Sequence, residues 1–98
     1  MKFLITAHPG IRPLPKDKKS DLWYSARQWV NDRINDGTIE CHYMFIDGGG
    51  LAIADVDSHE TLWNILMEYP LYQYNEWEVR ALCDWNYVYD NSLSQLQD

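Results

Sequence analysis

Apolar positions recur along the chain in two rhythms. "KFLITAH" (2–8) is rich in apolar, β-favouring residues and closes at Pro9-Gly10, which predicts a strand. "IRPLPKDKKS" (11–20) carries two prolines that block regular structure and predicts a loop. From residue 21 the period changes. Leu22, Ala26, Trp29, Val30 and Ile34 return at helical spacing, with Trp23 beside them. Ser20 or Asp21 offers a cap at the start of that helix, and Gly37 offers the left-handed position after its end. "TIECHYMFI" then alternates. Strict alternation sets Ile39, Cys41, Tyr43 and Phe45 on one face and Glu40, His42, Met44 and Ile46 on the other. Asp47-Gly48-Gly49-Gly50 predicts a hairpin turn and "LAIADV" (51–56) the returning strand. Asp57 followed by Glu60 reads as a capping box. Behind it, Leu62, Ile65, Leu66 and Tyr69 form the stripe of a second helix, which Pro70 stops. "YNEWEVRALCDW" (74–85) predicts a fourth strand. Trp77, Val79, Ala81 and Cys83 face one way, and Glu78, Arg80, Leu82 and Asp84 the other. The polar tail "NYVYDNSLSQLQD" follows.

The order β-α-β-β-α-β suits a ferredoxin-like α+β sandwich, with four antiparallel strands and two helices on one face. The other sheet face carries Leu4, Met44, Ile46 and Leu82 among charges, too apolar to leave wet. A second copy packed sheet to sheet would cover it, so a homodimer or larger homo-oligomer is expected. Residues 1–84 are expected to form the domain, and 85–98 a tail that packs on a partner subunit.

Composition narrows the function classes. The 98 residues suffice for one domain with a modest core. A net charge of −7 disfavours non-specific binding to nucleic acid or acidic membranes, since both need a basic footprint. Cys41 and Cys83 lie far apart, with no metal-binding or redox spacing. The first apolar run is too short for a signal peptide or a membrane span. A reduced, cytoplasmic protein is the simplest reading. Five Trp and seven Tyr fit either a tight small core or an aromatic-lined cavity.

The stretch "LMEYPLYQYNEWEVRALCDW" (66–85) resembles the C-terminal signature of muconolactone isomerases. The likeness runs through Leu66, Met67, Pro70, Leu71, Tyr72, Tyr74, Glu78, Val79, Leu82 and Cys83. Upstream, Gly37-Thr38 and Asp55-Val56 with Ser58 match the family's entries to the second strand and second helix. The resemblance implies a dimeric α+β barrel. It also implies an isomerase that moves a ring double bond by proton transfer, with no metal or organic cofactor. The chain departs from the family at two places. Trp23, Ala26 and Gln28 stand where the family's first helix carries Lys and Glu. Glu40, Cys41 and Met44 stand where its second strand carries two Arg and a His. The expected clamp for a substrate carboxylate is therefore missing, and authentic muconolactone is expected to be a poor substrate.

In such barrels the pocket lies between sheet and helices. The expected ligand-binding residues are Trp23, Arg27, Phe45 and Trp77, with Tyr43 beside them. His8, where the first strand breaks, and Tyr43 are the acid/base candidates. Alternation turns Glu40, His42, Glu78 and Arg80 toward a dimer interface, with a Glu40–Arg80 pair across it. The competing reading for the aliphatic members of the set is plain core packing. His59 reads as an exposed residue of the second helix's first turn. The expected ligand is a small cyclic or aromatic molecule. Two alternatives stay open on the same fold: a non-catalytic binding or assembly module, and a cofactor-free monooxygenase.

Overall fold

The computed structural model describes residues 1–92. Four strands, β1 (Lys2–Pro9), β2 (Ile39–Met44), β3 (Gly50–Asp55) and β4 (Asn75–Leu82), form one sheet in the order β2-β3-β1-β4. Every neighbouring pair is antiparallel. Helices α1 (Lys19–Asn35) and α2 (His59–Glu68) make the two crossovers. This is the ferredoxin-like arrangement expected from the element order. No helix among the described residues is long and apolar enough to cross a membrane.

The core divides into two clusters. Phe3, Ile5, Ala54, Val56, Leu62 and Ile65 form one, against the central strands and α2. Ala26, Leu71 and Tyr74 form the other, where α1 meets the joint between α2 and β4. Pro70 acts as its φ restriction dictates: α2 ends at Glu68, and one 3-10 turn (Tyr72–Tyr74) leads into β4. Leu71, only 2% exposed, pins that turn into the second cluster.

Several local expectations need correction. Helix α1 begins at Lys19, and neither Ser20 nor Asp21 caps it; the flanking Lys18 makes no side-chain cap. The cap of α2 is Ser58, whose hydroxyl accepts from the Thr61 N–H at 3.1 Å. Asp57 instead accepts from the Thr61 hydroxyl at 2.7 Å, one position away from the capping box expected. Gly37 does take a positive φ after α1, 85°. Gly49 has no substitute: it sits at φ 83°, and a Cβ there would run into the Ala7 carbonyl oxygen. The segment read as a polar tail opens with a further helix, α3 (Trp85–Asn91), capped by Asp84 on the Tyr87 N–H. Trp85 and Tyr87 on it are exposed. The far end of that tail lies outside the described residues.

The largest correction concerns β2. Ile39 pairs with Ala54, but Cys41, not Glu40, pairs with Ile53, so a bulge interrupts the ladder between Ile39 and Cys41. One extra residue reverses the alternation from there on. His42 now lies opposite Ala52, on the helix side, and Met44 opposite Gly50. Tyr43, opposite Leu51, turns to the other face and is 66% exposed. The faces predicted for Cys41, His42, Tyr43 and Met44 are therefore exchanged.

Candidate ligand cavity

Between the two core clusters the sheet and helices form a partly open cavity of about 280 Å³. Its floor comes from alternate residues of the central strands: Ile5, Ala7 and Pro9 on β1, Ala52 and Ala54 on β3. Small side chains on β3 leave the space open, because alanines there cannot reach the helix layer. Trp23, Trp29 and Val30 of α1 form one wall. Ile65 and Leu66 of α2, then Tyr69 and Leu71, form another. Trp77 closes the β4 side.

The aromatics around Pro70 hold this wall as a chain of ring contacts. Trp29 meets Tyr69 edge to face at 5.2 Å, and Tyr69 meets Trp77 edge to face at 5.6 Å. Trp77 stacks on Tyr72 with an interplanar angle of 14°, and its indole N–H donates to the Tyr72 carbonyl at 2.9 Å. The Arg33 guanidinium lies over Trp29, 5.1 Å from the ring centre. Trp77 thus has its polar atom satisfied by the backbone and one ring face covered, and it still borders the cavity.

Among the described residues no Asp, Glu, Lys or Arg lines this cavity. His42 is its imidazole, and burial lowers the pKa of that ring from the ordinary 6.5. Tyr69 and Tyr74 bring hydroxyls and Asn75 an amide. Asn75 is engaged with the Leu71 carbonyl, and the Tyr74 hydroxyl accepts from Gln73. Burial raises the pKa of the Tyr69 phenol. Trp29 Nε1 is enclosed without a hydrogen-bond partner among the described residues. A second cleft of about 180 Å³ adjoins the cavity and shares Trp23, Val30, His42, Met44 and Tyr69 with it. Among the described residues, that cleft is lined by one charged side chain, Arg27. Among the described residues no three His, Cys, Asp or Glu side chains come together as a metal site needs.

The structure brings together part of the set expected from sequence. Trp23 and Trp77 line the cavity, and Arg27 lies in the adjoining cleft. Tyr43, Phe45 and His8 do not line it. His8 stacks on Phe45 at 5.7 Å between ring centres, and neither ring borders either cleft. Glu78 and Arg80 fall opposite Thr6 and Leu4, on the face away from the helices. Glu40 is bound within its own chain, its carboxylate 2.6 Å from the Lys2 ammonium. His42, assigned by alternation to the outer face, is the group that sequence reasoning misplaced. Nothing in the residue pattern announces the bulge that moves it.

Fold and cavity together define a ferredoxin-like α+β protein of the muconolactone isomerase architecture. Muconolactone isomerase itself, known from a crystal structure at 3.3 Å resolution, superposes with a TM-score of 0.77 at 23% identity, over 86% of this chain and 90% of that one. A 5-chloro-2-hydroxyhydroquinone dehydrochlorinase from Burkholderia phenoliruptrix AC1100, in complex with 2,5-dihydroxybenzoquinone, superposes with a TM-score of 0.70 at 13% identity, over 89% of this chain and 98% of that one. No protein-family model and no curated sequence matches this chain.

Proposed function

We propose that the protein binds a small cyclic or aromatic molecule in the cavity between sheet and helices and shifts a ring double bond by proton transfer. The observation that carries this reading is the cavity itself. A space of about 280 Å³ bordered by three tryptophans approaches the size of ordinary small-molecule sites, roughly 300 Å³ and upward, and a close-packed core of this size leaves no such void. Its walls suit a flat apolar ring, and its few hydroxyl, amide and imidazole groups suit orientation and proton transfer without metal or organic cofactor. Two proteins of the same fold support a cyclic ligand. One is a muconolactone isomerase, and the other is a dehydrochlorinase complexed with 2,5-dihydroxybenzoquinone.

The chain is proposed to work as a cytoplasmic homodimer, with Glu78 and Arg80 at the contact between sheets. His8 and Tyr43, outside the cavity, are assigned to that same outer face rather than to the chemistry. A tryptophan-fluorescence titration with phenols and unsaturated lactones tests the ligand reading. Saturable quenching in the wild type, abolished in Trp77→Ala, is the expected result. Failure of every ring compound to give a saturable change would return the cavity to the status of loose core.

A further inference from the structure

The bulge in β2 has a chemical consequence. It turns His42 into the cavity, where among the described residues it is the one imidazole, in a lining without a charged side chain. Bulges next to functional sites re-aim single side chains in this way. Across from β2, Tyr69 sits at the end of α2, immediately before Pro70, and borders the same two clefts as His42. Trp29 and Trp77 grip its ring edge to face from two sides, while its hydroxyl has no hydrogen-bond partner among the described residues. A wall of apolar rings therefore carries two unspent proton-handling groups, one from the sheet and one from the helix layer.

We propose that His42 is the base and Tyr69 the hydrogen-bond donor of the site, and that the ring they act on is an uncharged cyclic ketone or lactone with a double bond β,γ to its carbonyl. The proposal rests on the ligand reading above and assigns the groups and the substrate class within it. A ring nitrogen of His42 takes a proton from the carbon between carbonyl and double bond. The C–H electron pair becomes a new C=C, and the carbonyl π pair moves to oxygen, where the Tyr69 hydroxyl donates to the developing negative charge. The imidazolium then returns the proton to the γ carbon as the carbonyl re-forms, leaving the conjugated isomer. One proton leaves and one returns, no electrons are exchanged, and no co-reactant is needed. The lining favours a neutral substrate, because burying a carboxylate against these apolar walls without a paired cation is costly. Burial suits both groups to these tasks: it keeps the imidazole unprotonated and able to accept, and the phenol protonated and able to donate.

The test uses the full chain with 3-cyclohexen-1-one. Its conversion to the conjugated 2-cyclohexen-1-one is followed by ultraviolet absorbance, and binding of the product by tryptophan quenching. Wild-type protein is expected to accelerate the conversion. His42→Gln should lower kcat by about 10²-fold or more with product binding nearly unchanged, and Tyr69→Phe should lower kcat by about tenfold or more with a smaller loss of product binding. Benzoate, a ring of like size with a charge, should bind more weakly than the ketone. Product binding without acceleration overturns the assignment of His42 and leaves the ligand reading standing, as does a fully active His42→Gln. Benzoate binding tighter than the ketone overturns the neutral substrate class. If neither compound nor any phenol quenches, the ligand reading fails and takes the assignment with it. Tyr69→Phe is the independent arm should His42→Gln not fold.

Discussion

At the scale of single residues, the molecule keeps an imidazole half-buried on the inner face of a strand. Burial disfavours the charged form, so the folded chain binds a proton at His42 less readily than the unfolded chain does. The unfolded state then holds more protons as the solution is acidified through 6.5, and stability falls with pH in that range. His42 thus contributes its full share above the ordinary histidine range and loses it below. Urea denaturation midpoints of the wild type are expected to drop from about pH 7 to about pH 5, with a flatter profile in His42→Gln. Asp36 and Asp57 have the opposite charge type and titrate lower. Hydrogen bonds from Thr38 and Thr61 hold their carboxyls below the ordinary 3.8, so their contribution fades only in stronger acid. The two effects therefore separate along the pH axis.

At the scale of elements, α2 depends on a small knot of side chains. Ser58 accepts from the Thr61 N–H, and the Thr61 hydroxyl donates to Asp57. Ser58→Ala removes the acceptor for a helix-end amide and should cost about 1 kcal/mol, read from thermal or urea unfolding. The same knot shows what sequence could and could not tell. The periodicity of Leu62, Ile65 and Leu66 and the stop at Pro70 located α2, because burial and φ restriction act on each residue alone. The cap was misread by one position, since Asp57 and Ser58 are both competent acceptors and only backbone geometry selects between them. In β2 the failure is larger for the same kind of reason. Alternation is a valid rule for each regular stretch, but one unpaired residue inverts all that follows, and Glu40 carries no mark of being the surplus one. Trp23 and Trp77 were legible as cavity residues because α1 and β4 are regular. His42 was not, since the bulge turns it, and Tyr69 was legible only as an aromatic closing one end of the layer between sheet and helices, with nothing to mark its hydroxyl. Helix α3 escaped notice because it has no buried residue to give it a period.

At the scale of the whole molecule, one sheet face is covered by helices and the other is not. The uncovered face carries half-buried Leu4, Thr6, Leu51 and Ile53, and Thr6 Oγ1 is enclosed with no partner among the described residues. We expect light scattering at micromolar concentration to give twice the chain mass, with Arg80→Glu weakening the association by tenfold or more, about 1.4 kcal/mol. A monomer would exclude the sheet-to-sheet contact. The strand order distributes tolerance unequally across that same sheet. β1 and β3 are each bonded on both sides, whereas β2 has a neighbour only at β3. An added or lost residue in a central strand would disturb two ladders at once. In β2 it disturbs one, and the chain already absorbs such a surplus, which is what sets His42 opposite Ala52. The strand that brings the imidazole is thus one of the two edge strands, whose length the fold polices least. Changes of length there, more than point substitutions in the central strands, are the cheapest route by which this architecture could exchange one cavity chemistry for another.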